Sequence, residues 1–263
     1  GWGAFSADDL AYNRNFYGYS GYEHPEGESL TRYLLIYSHS IIWSHHTLIV
    51  SSKLGAERRT VYKSTFDNLP ILPFDKLTSK QQSKVKQLSD RLMERDLTVF
   101  PEIDSFFGQL FDFDARDMQV IRDTVETAMP FQKSRQRACN PPKPVDLKRF
   151  CAELEELLLP FFIITNEEPE ITLQASTNSS ANLPDPFLFI RINIKGKALK
   201  DTDQSLQSLF LKLAEESGST RVIQEQANGL LIGVFNQYRY WTPSRARLLA
   251  AEIARAHLDV FDS

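Results

Sequence analysis

The stretch YLLIYSHSIIWSHHTLIVSSKLGAERRTVYKSTFDNLPILPF, residues 33–74, decides the reading of the first half of the chain. Leu30, Leu34, Tyr37, Ile41 and Leu48 recur on one helical stripe, and Leu35, Ile42 and Ile49 widen it, so the spacing predicts one long, largely buried helix. Gly55 then stops the helix inside a basic turn. Residues 59–62 read as a short strand, and Pro70 and Pro73 hold Ile71, Leu72 and Phe74 extended, because the residue before a proline is pushed out of the helical region.

Outward from this stretch, residues 1–28 mix Trp2, Phe5, Tyr12, Phe16, Tyr17, Tyr19 and Tyr22 with glycines. So much ring area suits an irregular segment packed on the following helix, and the same mixture suits base stacking. Downstream, Thr78 caps a polar helix with Val85, Leu88 and Leu92 inward, and Asp114 caps a helix with Met118, Ile121 and Val125 in register. Ile103, Phe106, Phe107 and Leu110 mark another helix between them.

Residues 131–145 read as a basic, proline-rich linker containing Pro141, Pro142 and Pro144 with Lys133, Arg135, Arg137 and Lys143. Beyond it, residues 147–159 form an acidic amphipathic helix and the period changes to that of strands. Residues 171–175 and 187–194 alternate, 206–214 is helical, and 220–226 with 230–235 form a hairpin across Asn228-Gly229. Residues 244–261 close as a helix with Leu249, Ile253, Ala256 and Val260 on one face. The predicted class is α+β, with a mainly helical first half containing short strands and a β-β-α-β-β-α unit after it. The expected domains are 1–130 and 146–263.

Composition narrows the function classes. The 263 residues are 42% hydrophobic, enough to bury a core in each half, and the net charge of −4 gives no global attraction to nucleic acid or to an anionic membrane. Two cysteines, Cys139 and Cys151, are too few for a disulfide scaffold and imply a reducing, cytoplasmic setting. Polar residues 38–40 and 44–46 interrupt the longest apolar run, so no membrane span or signal peptide is expected. The chain opens on Gly1, which leaves a fragment, a tag remnant and a complete protein all open.

No catalytic constellation appears: there is no GxSxG elbow, no HExxH and no paired-carboxylate pattern. His39, His45 and His46 lack the i, i+4 partner a helical metal pair needs, so they read as core or surface histidines. Asn140-Pro141-Pro142 resembles the Asn-Pro-Pro-aromatic motif of amino-methyltransferases. Lys143 stands where the aromatic would, however, and no strand precedes the motif, so it reads as linker.

The basic clusters are more telling. Lys53, Arg58, Arg59 and Lys63 fall within eleven residues beside Ser51 and Ser52, the mixture of forks, point charges and hydroxyls that phosphate contacts use. The same composition serves an ordinary solvated turn. The second cluster runs through residues 236–247, NQYRYWTPSRAR. Thr242 is the expected N-cap and Pro243 the first helical residue, which places Arg245 and Arg247 where positive charge opposes the helix dipole unless an anion sits there. Arg239 adjoins them. These arginines either hold a phosphate or fold back onto acidic neighbours, and Tyr238, Tyr240 and Trp241 are either core residues or stacking rings.

These residues also resemble a family. YLLIYSHSII, SSKLGAERR, NLPILPF and LTSKQQSKVKQLSDRLM, in that order, are similar to the segment after the catalytic domain in N6-adenine DNA methyltransferases of restriction-modification and phage-defence systems. FGQLFDFDARDMQVIRDTV and the C-terminal NQYRYWTPSRARLLAAEI resemble later helices of the same proteins. Ser38 or Ser40 departs from the family's asparagine. The resemblance implies a target-recognition region that is not an enzyme on its own. Its implied partners are duplex DNA, a methylase domain or subunit carrying S-adenosylmethionine, and other defence-system subunits. Ser51, Ser52, Lys53, Arg58, Arg59, Lys63, Arg239, Arg245 and Arg247 would then contact nucleic acid. The alternative is a non-enzymatic interaction or regulatory subunit of a defence complex that docks an acidic partner on the same turns.

Overall fold

The computed structural model describes residues 4–6, 18–50, 63–128, 137–164, 168–174, 185–195, 206–227 and 229–261. The chain divides into two compact units, Gly1–Ser134 and Arg135–Ser263. As predicted, the class is α+β.

Six α-helices and two short 3-10 turns, Phe74–Lys76 and Leu97–Val99, make up the described secondary structure of the first unit: α1 (Gly27–Ser38), α2 (Ile41–Val50), α3 (Lys63–Asp67), α4 (Ser79–Met93), α5 (Phe100–Leu110) and α6 (Ala115–Ala128). No strand occurs among its described residues, and the one expected over 59–62 lies outside them. The long helix expected from the 33–74 stretch is instead two helices broken at His39 and Ser40. Serine chemistry makes the break. Ser38 Oγ donates to Leu35 O at 2.7 Å and Ser40 Oγ to Tyr37 O at 2.8 Å, which closes α1. Ser40 Oγ also accepts the Trp43 N–H at 3.0 Å, so it is the N-cap of α2. The helical phase resets there. Tyr33, Ile36 and Tyr37 of α1 and Ile42 and Trp43 of α2 are buried, whereas Leu34 and Ile49 of the expected stripe are exposed.

Asp104 on α5 completes the break by accepting the Ile41 N–H at 2.7 Å, a second cap supplied from 63 residues away. Burial raises its carboxyl above the usual carboxylate range, against the opposing pull of the Ile41 N–H and the Arg122 charge. The native state therefore keeps this proton to higher pH than the unfolded chain does. Its stability contribution is greatest below the ordinary carboxylate value of about pH 4 and declines as pH rises through the native value. In Asp104→Asn that decline should disappear, so the urea midpoint of the first unit should differ less between pH 4.5 and 7 than in the parent. An unchanged pH profile would remove Asp104 from this role.

The other expected caps are present. Thr78 and Gln81 form a reciprocal capping box at α4, with Thr78 N–H donating to Gln81 Oε1 at 2.8 Å and Gln81 N–H to Thr78 Oγ1 at 3.3 Å. Asp114 Oδ1 accepts the Arg116 and Asp117 N–H groups at 2.7 and 2.8 Å to start α6. Between the helices, Phe107 stacks on Tyr33 at 5.7 Å and contacts Tyr37 at 5.0 Å. Burial pushes the Tyr33 phenol up to about 12. Tyr37 Oη donates to Pro70 O at 2.7 Å, which leaves His46 Nδ1, 2.9 Å away, to donate to Tyr37. His45 and His46 both titrate below the ordinary histidine value because of burial. They serve the core as neutral rings.

In the second unit the order is α7 (Pro144–Ile164), β1 (Pro169–Gln174), β2 (Phe187–Ile194), α8 (Leu206–Ser217), β3 (Arg221–Gln226), β4 (Gly229–Phe235) and α9 (Pro243–Ala256). The residues expected to form the second part of a linker are structured here. Residues 137–139 are helical, Asn140 O accepts the Tyr238 N–H at 2.8 Å, and Pro144 opens α7. α7 also runs past Pro160, beyond the expected end at 159. One lost backbone bond is outweighed there by Leu158 and Phe162, which are both buried.

The sheet order is β1-β2-β4-β3, antiparallel throughout. Period-two alternation sends Ile190, Ile192, Leu230, Ile232 and Val234 to the face covered by α7 and α9, and Phe187, Phe189 and Leu231 to the face covered by α8. Gly233 is required on the α8 face. A Cβ there would stand 2.4 Å from the Phe210 ring and 3.2 Å from Phe189, the register partner of Gly233. No helix among the described residues is long and apolar enough to cross a membrane.

Candidate functional site

The expected phosphate-binding residues fall in two places. Ser51, Ser52, Lys53, Arg58 and Arg59 lie outside the described residues. Lys63 begins α3, exposed, and pairs with Asp67 at 2.8 Å while its Nζ stands 5.5 Å from the Tyr19 ring. The remaining candidates, Arg239, Arg245 and Arg247, share one corner of the second unit.

That corner is built by the exit from β4. Asn236 N–H donates to Pro186 O and its side-chain amide to Asp185 O, which ties the strand end to the start of β2. Residues Tyr238–Tyr240 then make a 3-10 turn. Trp241 is fully buried, packs on Phe150 at 5.0 Å between ring centres and donates its indole N–H to Phe235 O at 2.9 Å. Of the three rings left open by the sequence, Trp241 and Tyr238 are therefore core residues. Tyr240 is half-buried with Arg239 above it, the guanidinium carbon 4.8 Å from the ring centre. Arg239 is exposed and also donates from Nε to Gln237 Oε1 at 2.9 Å. Arg137 stands 4.5 Å over the Tyr238 ring on the same corner.

α9 starts with Thr242 and Pro243 as expected, but Thr242 makes no side-chain cap. Its carbonyl accepts both the Arg245 and Ala246 N–H groups, at 2.9 and 3.1 Å, and Pro243 has no N–H to offer. The helix amides expected to hold an anion are thus largely committed, and positive charge at this end comes from arginine side chains. Arg245 is exposed and has no ion-pair partner among the described residues. It lies close enough to Arg221, the first residue of β3, to add to the burial that pulls the Arg221 guanidinium down from its ordinary value. Glu252 sits directly against Arg221 as its ion-pair partner. Arg247 follows the other of the two readings and folds back onto an acidic neighbour. It points along α9 to α7, where Nε donates to Glu153 at 2.6 Å with both side chains mostly covered.

The packing of α7 on α9 gathers further charge. Phe150 near the start of α7 meets Trp241, and Phe162 near its end meets Phe261 at 4.8 Å, so the two helices run parallel. Both N-termini lie at the end of the sheet where β4 finishes and β3 begins, since Arg221 pairs with Val234. This end carries Arg137, Lys143, Lys148, Arg149, Lys212, Arg221, Arg239 and Arg245 against Asp146, Asp185, Glu215, Glu216 and Glu252, the α8 residues included because Gln207 donates to Phe187 O and Thr220 O accepts the Phe235 N–H there. Asp146 is occupied as an acceptor for the Lys143 N–H at 3.0 Å. The opposite end carries Glu168, Glu170, Glu225 and Asp259 against Lys195, Arg255 and His257. The unit is electrically polarised along its strands.

Sequence reasoning placed Arg239 and Arg245 on this corner. It missed Lys148, Arg149 and Arg221, which join through helix pairing and strand register. Among the described residues, no group of three or more His, Cys, Asp or Glu side chains is arranged to hold a metal ion. Burial pushes the Cys151 thiol up to about 11, so it is a poor nucleophile. Comparison with protein-family models, with curated proteins and with solved structures gave no match.

Proposed function

We propose that this chain is a DNA target-recognition module of an N6-adenine DNA methyltransferase, positioning duplex DNA for a methylase domain outside these residues. The observation that carries the reading is the basic end of the second unit. There Arg239 and Arg245 are exposed, and Arg245 has no ion-pair partner among the described residues. Guanidinium forks at a protein surface suit phosphate oxygens, and Lys148 and Arg149 extend the same surface. The motif resemblance from residue 33 onward supplies the enzyme class, and Ser51, Ser52, Lys53, Arg58, Arg59 and Lys63 supply a second set of phosphate contacts.

In this reading phosphate contacts set the register on the duplex, base edges are read by polar side chains on loops, and S-adenosylmethionine belongs to the methylase domain. The acidic remainder of the chain limits non-specific adhesion. Arg247 contributes structure through Glu153 rather than a bond to phosphate.

The test is duplex binding by the full chain at several salt concentrations. Arg239→Glu with Arg245→Glu should weaken binding by at least about tenfold, and the slope of log K against log salt should shrink by about 0.9 for each phosphate that the variant no longer neutralises. Unchanged affinity with an unchanged unfolding midpoint would overturn the proposal.

A further inference from the structure

The acidic end of the second unit presents an edge strand. β1 pairs with β2 on one side and with nothing among the described residues on the other. Lys195 N–H donates to Glu168 O at 2.9 Å, so 168 and 195 form a hydrogen-bonded pair of the ladder. Alternation then assigns 170, 172 and 174 to bonds with β2 and turns the backbone groups of Pro169, Ile171 and Leu173 toward the open edge. Pro169 fits this assignment, because a residue without an N–H is tolerated where the strand faces outward.

The two sides of this edge differ in chemistry. On the α7 side, Leu159, Pro169 and Ile171 line an open groove between helix and strand, with Glu155, Glu168, Glu170 and Lys195 on its walls. Ile163 follows Leu159 at i, i+4, and Leu173 shares the strand face of Ile171. Leu173 is 39% exposed, Leu159 38% and Ile163 62%, so this edge presents uncovered apolar side chains beside the carboxylates. On the α8 side of the same strand stand Glu168 and Glu170, both exposed, and Glu155 lies at the groove itself. Lys195 answers one of these carboxylates by pairing with Glu168.

We propose that β1 is a docking edge for an extended, basic segment of a partner protein, which adds to the sheet as a fifth strand. Strand addition supplies the main-chain bonds that Ile171 and Leu173 leave open. A strand's period-two alternation would lay small apolar side chains over Leu159 and Ile163 and lysine or arginine beside Glu168 and Glu170. The occupant is thus an alternating apolar–basic peptide. This inference stands apart from the DNA reading, because it uses the opposite end of the unit.

Fluorescence anisotropy with the full chain tests it, using labelled hexapeptides of alternating lysine and valine or alternating glutamate and valine. The lysine peptide should bind at least tenfold more tightly than the glutamate peptide. Leu173→Pro, which deletes one outward N–H and leaves the β1–β2 ladder intact, should weaken it at least tenfold. Leu173→Ala, which keeps the N–H, should weaken it less than threefold. Should Leu173→Pro unfold the unit, Ile163→Lys at an exposed position should still weaken the lysine peptide severalfold. Equal binding of the two peptides would overturn the proposal. So would full affinity in both Leu173→Pro and Ile163→Lys, or a concentration-dependent dimer that Leu173→Pro abolishes, which would assign the edge to a second copy of the chain.

Discussion

Trp241→Ala should lower the unfolding free energy of the second unit by about 3–5 kcal/mol, the usual cost of deleting a large buried aromatic. Trp241 is fully buried against Phe150, and its indole N–H is spent on Phe235 O, so truncation opens a cavity and strands a carbonyl together. Trp241→Phe keeps most of the packing and should cost less, with about 1 kcal/mol from the missing hydrogen bond. The measurement is direct because the other tryptophans, Trp2 and Trp43, lie in the first unit. In the alanine variant, tryptophan fluorescence reports residues 1–134 alone while far-UV circular dichroism reports both units. The fluorescence midpoint in urea should hold while part of the dichroism transition moves to lower denaturant. A joint shift of both signals would mean that the units unfold as one.

Phe107→Ala is the counterpart in the first unit, again with an expected loss of about 3–5 kcal/mol. Phe107 is fully buried and touches Tyr33, Tyr37 and Phe106, so it joins α1 to α5. The surrounding rings are held by their own contacts, including the Tyr37 bond to Pro70 O, and collapse into the space is limited. Here the fluorescence midpoint, read through buried Trp43, should fall sharply. A loss under about 1 kcal/mol would show that the cluster repacks freely.

What the sequence disclosed and what it withheld separate along chain distance. Thr78 and Asp114 mark helix starts because a side-chain cap is set by residues within four positions, and the strands of the second unit show their alternation locally. The division of the long helix expected before Gly55 was hidden because half of its chemistry comes from Asp104, whose carboxylate reaches Ile41 only after α5 has packed. The sequence left Arg247 open between a phosphate and an acidic neighbour. Its partner Glu153 is 94 residues away and becomes a neighbour only because α7 and α9 run side by side. Arg221 gave no local sign of belonging with Arg245, since strand register alone brings it there. Only the sheet order shows that the carboxylates around β1 flank an edge left open among the described residues.

The parallel pairing of α7 with α9 also has a consequence for synthesis. α7 emerges from the ribosome about a hundred residues before the helix that covers Phe150, Leu154 and Phe162, and the sheet those residues share with α9 is itself made of strands from distant points in the chain. The first unit is complete in sequence by Ser134 and has no such wait. Nascent second-unit chains that stop before residue 243 would carry an uncovered apolar helix, so chaperone engagement during translation should concentrate in that interval and end once residues 243–261 have emerged.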